Sequence, residues 1–273
     1  MPFYRAVGYL TTRNISYGAP FVVSLPFCWK RSLCTSAQQD VPLTIYQYKI
    51  CPFCSRVKVV LDYSGIVYNT VEVNPITKQE IKFSKSHKKV PIATINGPNG
   101  IIIGDSENIV KEIRKLVDKK TMSGKDMSKI FTSDTDKWSE WSEKRLAVLL
   151  YPNITRNFNE AWEAFDYTST ISSWSMFQRF ANRTLGPVAM YFANGKIKKK
   201  YGIVDERAEL RVVLQEWTDA LGEKPFLHGK TLTMPDLLVY GVLRAISGMK
   251  TFEFVMEDAK LKAWYDRVDV AMP

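Results

Sequence analysis

The sequence predicts two folded parts, an α/β domain followed by an all-α domain. Between residues 41 and 119, β-rich runs alternate with helical patterns, which is typical of a sheet flanked by helices. Over residues 137–273, apolar residues recur at helical spacing, which indicates a bundle of helices. Residues 120–136, between the two parts, are small and polar and are predicted to form a linker.

The composition of the chain is that of a folded protein. Of its 273 residues, 45% are hydrophobic and 12% are aromatic, which suffices for two cores and excludes a disordered protein. The net charge of +10 is compatible with nucleic-acid binding, but no helix-turn-helix, zinc-finger or RNP pattern accompanies it. We therefore expect no nucleic-acid partner.

Residues 1–39 are predicted to form a targeting segment. No acidic residue precedes Asp40, whereas basic and hydroxyl residues recur, which is typical of a mitochondrial transit peptide. The apolar stretch at 19–29 is shorter than the about 20 residues that a membrane span needs. We expect a mitochondrial location; the Golgi or another membrane, and the cytoplasm after removal of the segment, are the alternatives.

The α/β part contains seven predicted elements. In order, they are a strand at 43–49, a helix at 55–63, a strand at 67–73, a charged helix after Pro75, strands at 90–95 and 101–103, and a helix capped by Asp105 and Ser106. Gly65 ends the first helix, and the turn NGPNG between the last two strands predicts a hairpin. The strand–helix–strand start requires a parallel pair, to which the hairpin adds an antiparallel edge. A mixed sheet of this kind, flanked by helices, is the thioredoxin arrangement.

The tryptophans and one capping motif of the all-α part are predicted to be structural. Trp138, Trp141 and Trp217 follow helical spacing and are expected in the core. Thr233 and Asp236 fit a capping box at the start of a helix, so no catalytic role is assigned to Asp236.

Cys51 and Cys54 form a CxxC pair between a predicted strand and a predicted helix. At a helix N-terminus, unpaired amides and the helix dipole lower a thiol pKa, so Cys51 is the predicted nucleophile and Cys54 the more buried partner. Lys49, Arg56 and Lys58 are expected to add positive potential. An inert buried pair is the alternative.

A metal site is not predicted. Zinc would need two further ligands beside the cysteine pair, and His87 and His228 are isolated from each other in the sequence. Cys28 and Cys34 lie in the predicted targeting segment, which also argues against an extracellular disulfide framework.

Two further segments are predicted to complete a ligand site. If the peptide bond before Pro91 is cis, the Val90 backbone can pair with an extended peptide. The helix start at Asp105 and Ser106 can hold a carboxylate through its amides, while the Asp105 side chain accepts an amine. A tripeptide with carboxylates, an amine and a thiol fits these groups, so glutathione is the predicted cofactor.

Several motifs together resemble the membrane-associated type 2 prostaglandin E synthase family. They are YQYKICPFCSRVKVVLDYSGIVYNTVEVNP, EIKFSKSHKKVPI, DSENI, FDY at 165–167 and DLLVYGVLRAISG, and the resemblance covers nearly the whole chain from Leu43. It implies a thioredoxin-like, glutaredoxin-type domain that binds glutathione, followed by a helical domain like that of glutathione transferases. It also implies a homodimer and peripheral association with a membrane.

The resemblance further implies an isomerase that converts the lipid endoperoxide prostaglandin H2 to prostaglandin E2. Cys51 matches the catalytic cysteine of the family, with Cys54 beside it, and Tyr48 hydrogen-bonds in the site. The cofactor-binding residues are then Phe53, Val90, Pro91, Asp105 and Ser106, as a set around glutathione. In this family glutathione can ligate a haem, so haem is a second implied cofactor.

Two departures and three alternatives accompany this interpretation. The segment at 1–39 is short and resembles a transit peptide more than a membrane anchor, and the loop between Lys120 and Trp138 is shorter than that of the family. The same thiol pair would serve a glutaredoxin-like thiol–disulfide oxidoreductase, with Cys54 as the resolving thiol. A protein that binds glutathione and haem without catalysis, and an enzyme that transfers glutathione to electrophiles, are the other two alternatives.

Overall fold

The computed structural model describes residues 43–118 and 127–273. The predicted targeting segment lies outside the described residues, as does the first half of the predicted linker. No helix within the described ranges is long and apolar enough to cross a bilayer.

Residues 43–118 form a four-stranded sheet with two helices. The elements are β1 Leu43–Gln47, α1 Pro52–Ser64, β2 Asn69–Glu72, β3 Ile92–Ile95, β4 Ile101–Gly104 and α2 Ser106–Asp118. The strand order is β2-β1-β3-β4, with β1 parallel to β2 and antiparallel to β3, and with β3 antiparallel to β4. The predicted parallel start and closing hairpin are therefore confirmed.

The predicted charged helix after Pro75 is wrong. Only a 3₁₀ turn forms there, at Gln79–Ile81. The Asn74 side chain accepts hydrogen bonds from the amides of Ile76 and Thr77, at 3.0 and 3.2 Å, and Lys78 adopts a left-handed φ of 50°. These local bonds from side chain to backbone compete with the helical pattern and divert the chain into a turn.

The remaining described residues are helical. The elements are α3 Thr135–Trp141, a π-helical segment Ser142–Ala147, α4 Val148–Ile154, α5 Phe158–Ala164, α6 Met176–Tyr201, α7 Glu206–Leu221, α8 Met234–Arg244, α9 Lys250–Val255 and α10 Ala259–Ala271. Met127 and Ile130 are buried ahead of α3, so apolar packing extends into the segment predicted to be a linker.

Helix α8 packs closely against α1 and so holds the helix that follows the cysteine pair. A Cβ atom on Gly241 would lie 2.8 Å from the Arg56 Cα atom, so only glycine allows this approach without a shift of the backbone. Helix α1 therefore lies between the sheet and the helical part.

The predicted structural roles of the tryptophans and of Asp236 are confirmed. The ring centroids of Trp138 and Trp217 lie 5.0 Å apart, and both side chains are buried. The buried Asp236 carboxylate accepts the Thr233 amide at 3.0 Å, as a capping box requires, and also accepts the Trp264 indole N–H at 2.9 Å.

Candidate active site

Cys51 occupies the N-cap of α1, directly after the turn that leaves β1. Its amide donates to the Tyr48 carbonyl at 3.0 Å, and its carbonyl accepts the Ser55 amide at 2.9 Å. Pro52 is the first helical residue, where its missing N–H is harmless. The side chain of Cys51 is partly exposed, whereas Cys54, one turn further on, is fully buried. The predicted placement of the pair at a helix N-terminus is therefore confirmed.

The pKa values of the two thiols are shifted in opposite directions. A hydrogen bond from the Cys54 thiol lowers the pKa of Cys51, burial opposes this, and the amides of Cys54 and Phe53 together with the Lys58 ammonium lower it further. Burial raises the pKa of Cys54 well above its usual range. Both cysteines are free thiols. This asymmetry makes Cys51 the more acidic thiol of the pair and Cys54 its hydrogen-bond donor.

The predicted contribution of Arg56 to the positive potential near Cys51 is wrong. Its guanidinium is fully buried and donates to the Glu143 carboxylate at 2.8 Å and to the Ser139 hydroxyl at 2.9 Å. Arg56 lies on a face of α1 that packs against α3 and α2, and its charge is balanced there. Lys58, two residues on, is the cation that acts on the sulfur.

An apolar cavity of 320 Å³ opens at Cys51. From the N-terminal part it is lined by Tyr48, Cys51 and Phe53, three of the predicted site residues, and from the helical part by Tyr151, Phe165 and Tyr167, among others. Cys54, Val90, Pro91, Asp105 and Ser106 do not line it. The cavity suits an apolar ligand that reaches the sulfur.

Two tyrosines of this cavity keep their protons at neutral pH. Burial and the nearby Cys51 raise the pKa of Tyr48 to about 12. Burial also raises the pKa of Tyr167, with further contributions from Glu72 and Tyr48. Both phenols therefore carry a proton that they can donate to a ligand in the cavity. The sequence indicates Tyr167 only as part of the FDY motif, because no local pattern connects this residue with a cysteine pair more than 100 positions earlier.

Glu72 is a site residue that sequence reasoning missed. It ends β2, opposite Gln47 of β1, and its carboxylate accepts the Lys49 amide at 2.7 Å and the Gln47 side-chain amide at 3.2 Å. Glu72 thereby holds the turn that carries Tyr48 and Cys51. Burial raises its pKa to about 7, although these two hydrogen bonds oppose the shift. The predicted parallel pairing of the two strands was the signal that could have found it.

The segments predicted to hold glutathione lie beyond the ends of the strands, on the same side of the sheet as Tyr48. The Val90–Pro91 peptide bond is cis. The registers of β3, continued by two residues, place Val90 level with Tyr48 on one side and with Ser106 on the other. Among the described residues no hydrogen-bond partner is found for the Val90 main chain or for the exposed Asp105 carboxylate.

These groups fit a tripeptide with one departure. A free main chain at Val90, a free carboxylate at Asp105 and the N-terminal amides of α2 match an extended peptide with an amine and a carboxylate. The Ser106 side chain, however, is 2% exposed, and its hydroxyl is shared between Arg56 at 3.3 Å and Glu143 at 3.2 Å. Only the Ser106 amide is left for a ligand.

No metal centre is evident in the part of the chain that the structure describes: residues 43–118 and 127–273 contain no group of three or more His, Cys, Asp or Glu side chains that could hold an ion. His228 instead contacts Asp134 at 3.0 Å and Thr233 at 3.1 Å. The ring of His87 lies against Gly104, where a Cβ atom would meet its Nδ1 atom.

Comparison with known proteins gives the same fold and points to one family. Residues 45–121 match the N-terminal domain of glutathione S-transferases, and residues 186–271 match their C-terminal domain. Solved structures with this fold include the beta-etherase LigF from Sphingobium sp. strain SYK-6, at a TM-score of 0.55 and 14% identity over 84% of this chain and 95% of that one. Glutathione S-transferase III in its apo form superposes at a TM-score of 0.52, with 18% identity over 85% and 93% of the two chains.

Two curated relatives are more similar in sequence. Prostaglandin E synthase 2 of Danio rerio is 33% identical over 89% of this chain and 74% of the relative. Prostaglandin E synthase 2 of Mus musculus is 28% identical over 85% and 71%. The two matched domains imply glutathione binding. The chain therefore belongs to the prostaglandin E synthase 2 family, within the glutathione S-transferase superfamily.

Proposed function

We propose that the protein isomerises a lipid endoperoxide, with prostaglandin H2 as substrate and prostaglandin E2 as product. The observation that carries the proposal is the partly exposed Cys51, whose pKa is lowered and which opens into an apolar cavity of 320 Å³ beside Tyr48. The relatives named prostaglandin E synthase 2 supply the reaction class.

In the proposed reaction, the Cys51 thiolate attacks one oxygen of the endoperoxide and forms an S–O bond as the O–O bond breaks. The other oxygen takes a proton and becomes a hydroxyl. A base then removes the hydrogen from the carbon that bears the sulfur-bound oxygen. As the carbonyl forms, the S–O bond breaks and the thiolate is regenerated. Substrate and product are isomers, so the step needs no oxidant or reductant.

Tyr48 is the proposed proton carrier of this reaction. Its phenol lines the cavity beside Cys51 and, with a pKa raised to about 12, holds a proton that the departing oxygen can take. The phenolate left behind is a strong base, and it takes the carbon-bound proton in the second step. Tyr48 therefore ends the reaction with the same protonation state in which it began.

Glutathione is the proposed cofactor, held by the Val90 main chain, the Asp105 carboxylate and the amides at the start of α2. Phe53 lies between this segment and the cavity in the proposed arrangement. When bound, glutathione would supply a second thiol for the reaction. Within this chain, Cys51 positions and activates the substrate, and the surrounding aromatic residues exclude water.

The test is an assay of the purified protein on prostaglandin H2, with and without glutathione. We expect prostaglandin E2 above the level of the spontaneous reaction, and we expect the Cys51→Ser variant to fall to that level. Cys28→Ser is the matched control, because it removes a thiol that lies in the predicted targeting segment. Unchanged turnover in Cys51→Ser would exclude the mechanism.

A second candidate function is glutaredoxin-like thiol–disulfide exchange. It is favoured by the hydrogen bond between the two free thiols, which places Cys54 within reach of a mixed disulfide at Cys51. A Cys54→Ser variant separates the two functions. If Cys54→Ser loses dithiol exchange but retains isomerisation, Cys54 is needed only for exchange, and endoperoxide isomerisation is an activity of Cys51 without it.

Haem, the homodimer, peripheral membrane association and the mitochondrial location stay predictions. Absorption spectra of the protein with haem, in the presence and absence of glutathione, test the first. Sedimentation of the purified protein tests the homodimer. Fractionation of cells that express the full chain tests the membrane association and the mitochondrial location.

A further inference from the structure

A second cavity, of 690 Å³, lies beside the cavity at Cys51 and shares Ile50 and Tyr167 with it. It follows the face of α1 that begins at Cys51, because Ser55, Lys58 and Asp62 line it at helical spacing. A ligand that fills the apolar cavity can therefore extend past Ile50 into the second cavity, which we call the lysine cavity.

Each carboxylate that lines the lysine cavity has an ion-pair or hydrogen-bond partner in the protein. Asp62 accepts from Arg244 at 3.0 Å and from the Tyr68 phenol at 2.7 Å. Glu163 pairs with Lys250 at 2.8 Å, Asp166 pairs with Arg183, and Asp269 accepts from the Tyr240 phenol. None of these acids makes an ion pair with Lys49 or Lys58.

Two ammonium groups in the lysine cavity have no such partner. Neither the Lys49 nor the Lys58 side chain makes a hydrogen bond or ion pair with any of the described residues. Lys58 is half-buried, and burial lowers its pKa, which expresses the cost of holding this charge away from water. Glu72 lies near both lysines, but it does not line the cavity, and its carboxylate is occupied by the Lys49 and Gln47 amides.

We propose that Lys58, assisted by Lys49, binds the carboxylate of an amphiphilic acid whose apolar body lies in the cavity at Cys51. This rests on the proposed function, and it deepens it by assigning the end of the substrate that the lysine cavity holds. An anion placed there forms charge-assisted hydrogen bonds with two ammonium groups that donate no hydrogen bond to the described residues. It also sets the direction of the lipid, because the carboxylate end enters the lysine cavity and the reacting oxygen atoms remain at the sulfur.

The experiment measures binding rather than turnover. The full-length protein is titrated with a twenty-carbon tetraunsaturated fatty acid and, separately, with its methyl ester, which has the same chain without the charge. We expect the wild-type protein to bind the acid about tenfold more tightly than the ester, the size expected for hydrogen bonds to a charged group. In Lys58→Gln this preference should disappear, with ester binding unchanged.

Three companion variants make the result specific. Lys58→Arg keeps the charge and should retain the preference for the acid. Lys224→Gln removes an exposed lysine outside both cavities and should behave as wild type. Cys51→Ser should keep the preference while losing isomerisation, so a failure of the proposed chemistry would leave this result intact.

Equal binding of acid and ester by the wild-type protein would overturn the proposal. So would a Lys58→Gln variant that keeps the full preference, or one that loses acid and ester binding equally, since the lysine would then act on the fold and not on the anion. If Lys58→Gln does not fold, the same comparison made with Lys49→Gln should show a partial loss of the preference, and an unaltered preference would count against the proposal.

Discussion

At the N-terminus of α1, the Cys51 sulfur receives a hydrogen bond from the Cys54 thiol and lies near the Lys58 ammonium. The amides of Phe53 and Cys54 also stabilise the thiolate, as expected at a helix start. The second cysteine of the motif therefore has a role without forming a disulfide, because its thiol donates a hydrogen bond to the Cys51 sulfur. The same arrangement serves isomerisation and thiol exchange.

Replacing Cys54 should make Cys51 less reactive. In Cys54→Ala the Cys51 sulfur loses the hydrogen bond that lowers its pKa most. The pKa of Cys51 therefore rises, and less thiolate is present at neutral pH. We expect roughly threefold to tenfold slower alkylation of Cys51, given the usual strength of hydrogen bonds to charged groups. Mass spectrometry of iodoacetamide-treated protein, sampled over time, measures the rate at this cysteine alone. A Cys34→Ala variant is the control and should react at the wild-type rate.

Glu72 should make stability depend on pH. Burial raises its pKa to about 7, so the folded protein binds a proton that the unfolded chain releases near its ordinary pKa of 4.5. The resulting stabilisation is fully present below the lower pKa and is lost as the pH rises through about 7. Urea unfolding between these pH values should show a falling free energy of unfolding. In Glu72→Gln this slope should be smaller, and an identical slope in both proteins would contradict the assignment.

Among the helices and strands, the close packing of α1 against α8 fixes the position of the Cys51 thiol. Helix α1 starts at Pro52 and ends at the left-handed Gly65, as local sequence signals require, but its position depends on α8. The approach of the two backbones at Gly241 leaves no room for a side chain. Glycine in this helix interior is unfavourable by roughly 0.5–1 kcal/mol relative to alanine, so packing against α1 outweighs helix propensity there.

A side chain at position 241 should destabilise the protein. In Gly241→Val the added atoms meet the Arg56 backbone, which cannot move away as a flexible side chain could. We expect a loss of about 1–3 kcal/mol in the free energy of unfolding, and slower isomerisation because α1 carries Cys51. Gly195→Ala in α6 is the control: its added Cβ meets open space, so a small gain in stability is expected. Denaturant titration of both variants compares them, and equal stability would refute the packing argument.

For the whole molecule, the buried Arg56 connects the two folded parts. Its guanidinium joins α1 to Ser106 at the start of α2, to Ser139 in α3 and to Glu143 in the π-helical segment. A charge with no exposed surface is tolerated only with such partners. The walls of the active-site cavity come from both parts, so this contact also sets their relative position.

Removing the partner of Arg56 should be costly. Glu143→Gln leaves a buried guanidinium without its counter-ion, and we expect a loss of about 3–5 kcal/mol in the free energy of unfolding. Glu140→Gln, one turn earlier, breaks an exposed pair with Lys144 and should cost much less, because water screens that pair. Thermal and urea unfolding of the two variants test the difference. Similar losses in both would show that the buried pair has no special role.

Much of the fold was predictable because its signals are local. The alternation in β1, the NGPNG hairpin, the CxxC pair before α1 and the capping box at Thr233 each involve residues within a few positions of one another. The predicted helix after Pro75 is absent for an equally local reason, because the Asn74 side chain accepts two backbone amides that a helix would have to direct elsewhere. Charge and spacing alone could not reveal that competition.

Only the tertiary structure decides which partner each charged side chain contacts. Arg56 and Lys58 are two residues apart and looked equivalent, yet the first pairs with Glu143, 87 positions away, and the second faces a cavity and acts on the sulfur. Glu72 likewise accepts the amide of Lys49, which follows the neighbouring strand and is 23 positions away. Short-range patterns specify helices, strands and caps because hydrogen bonds and side-chain periodicity repeat within a turn or a strand pair. Burial and charge pairing depend on residues that meet only when the sheet and the helices pack, so the partners of Cys51 and the cavity around it belong to the tertiary structure.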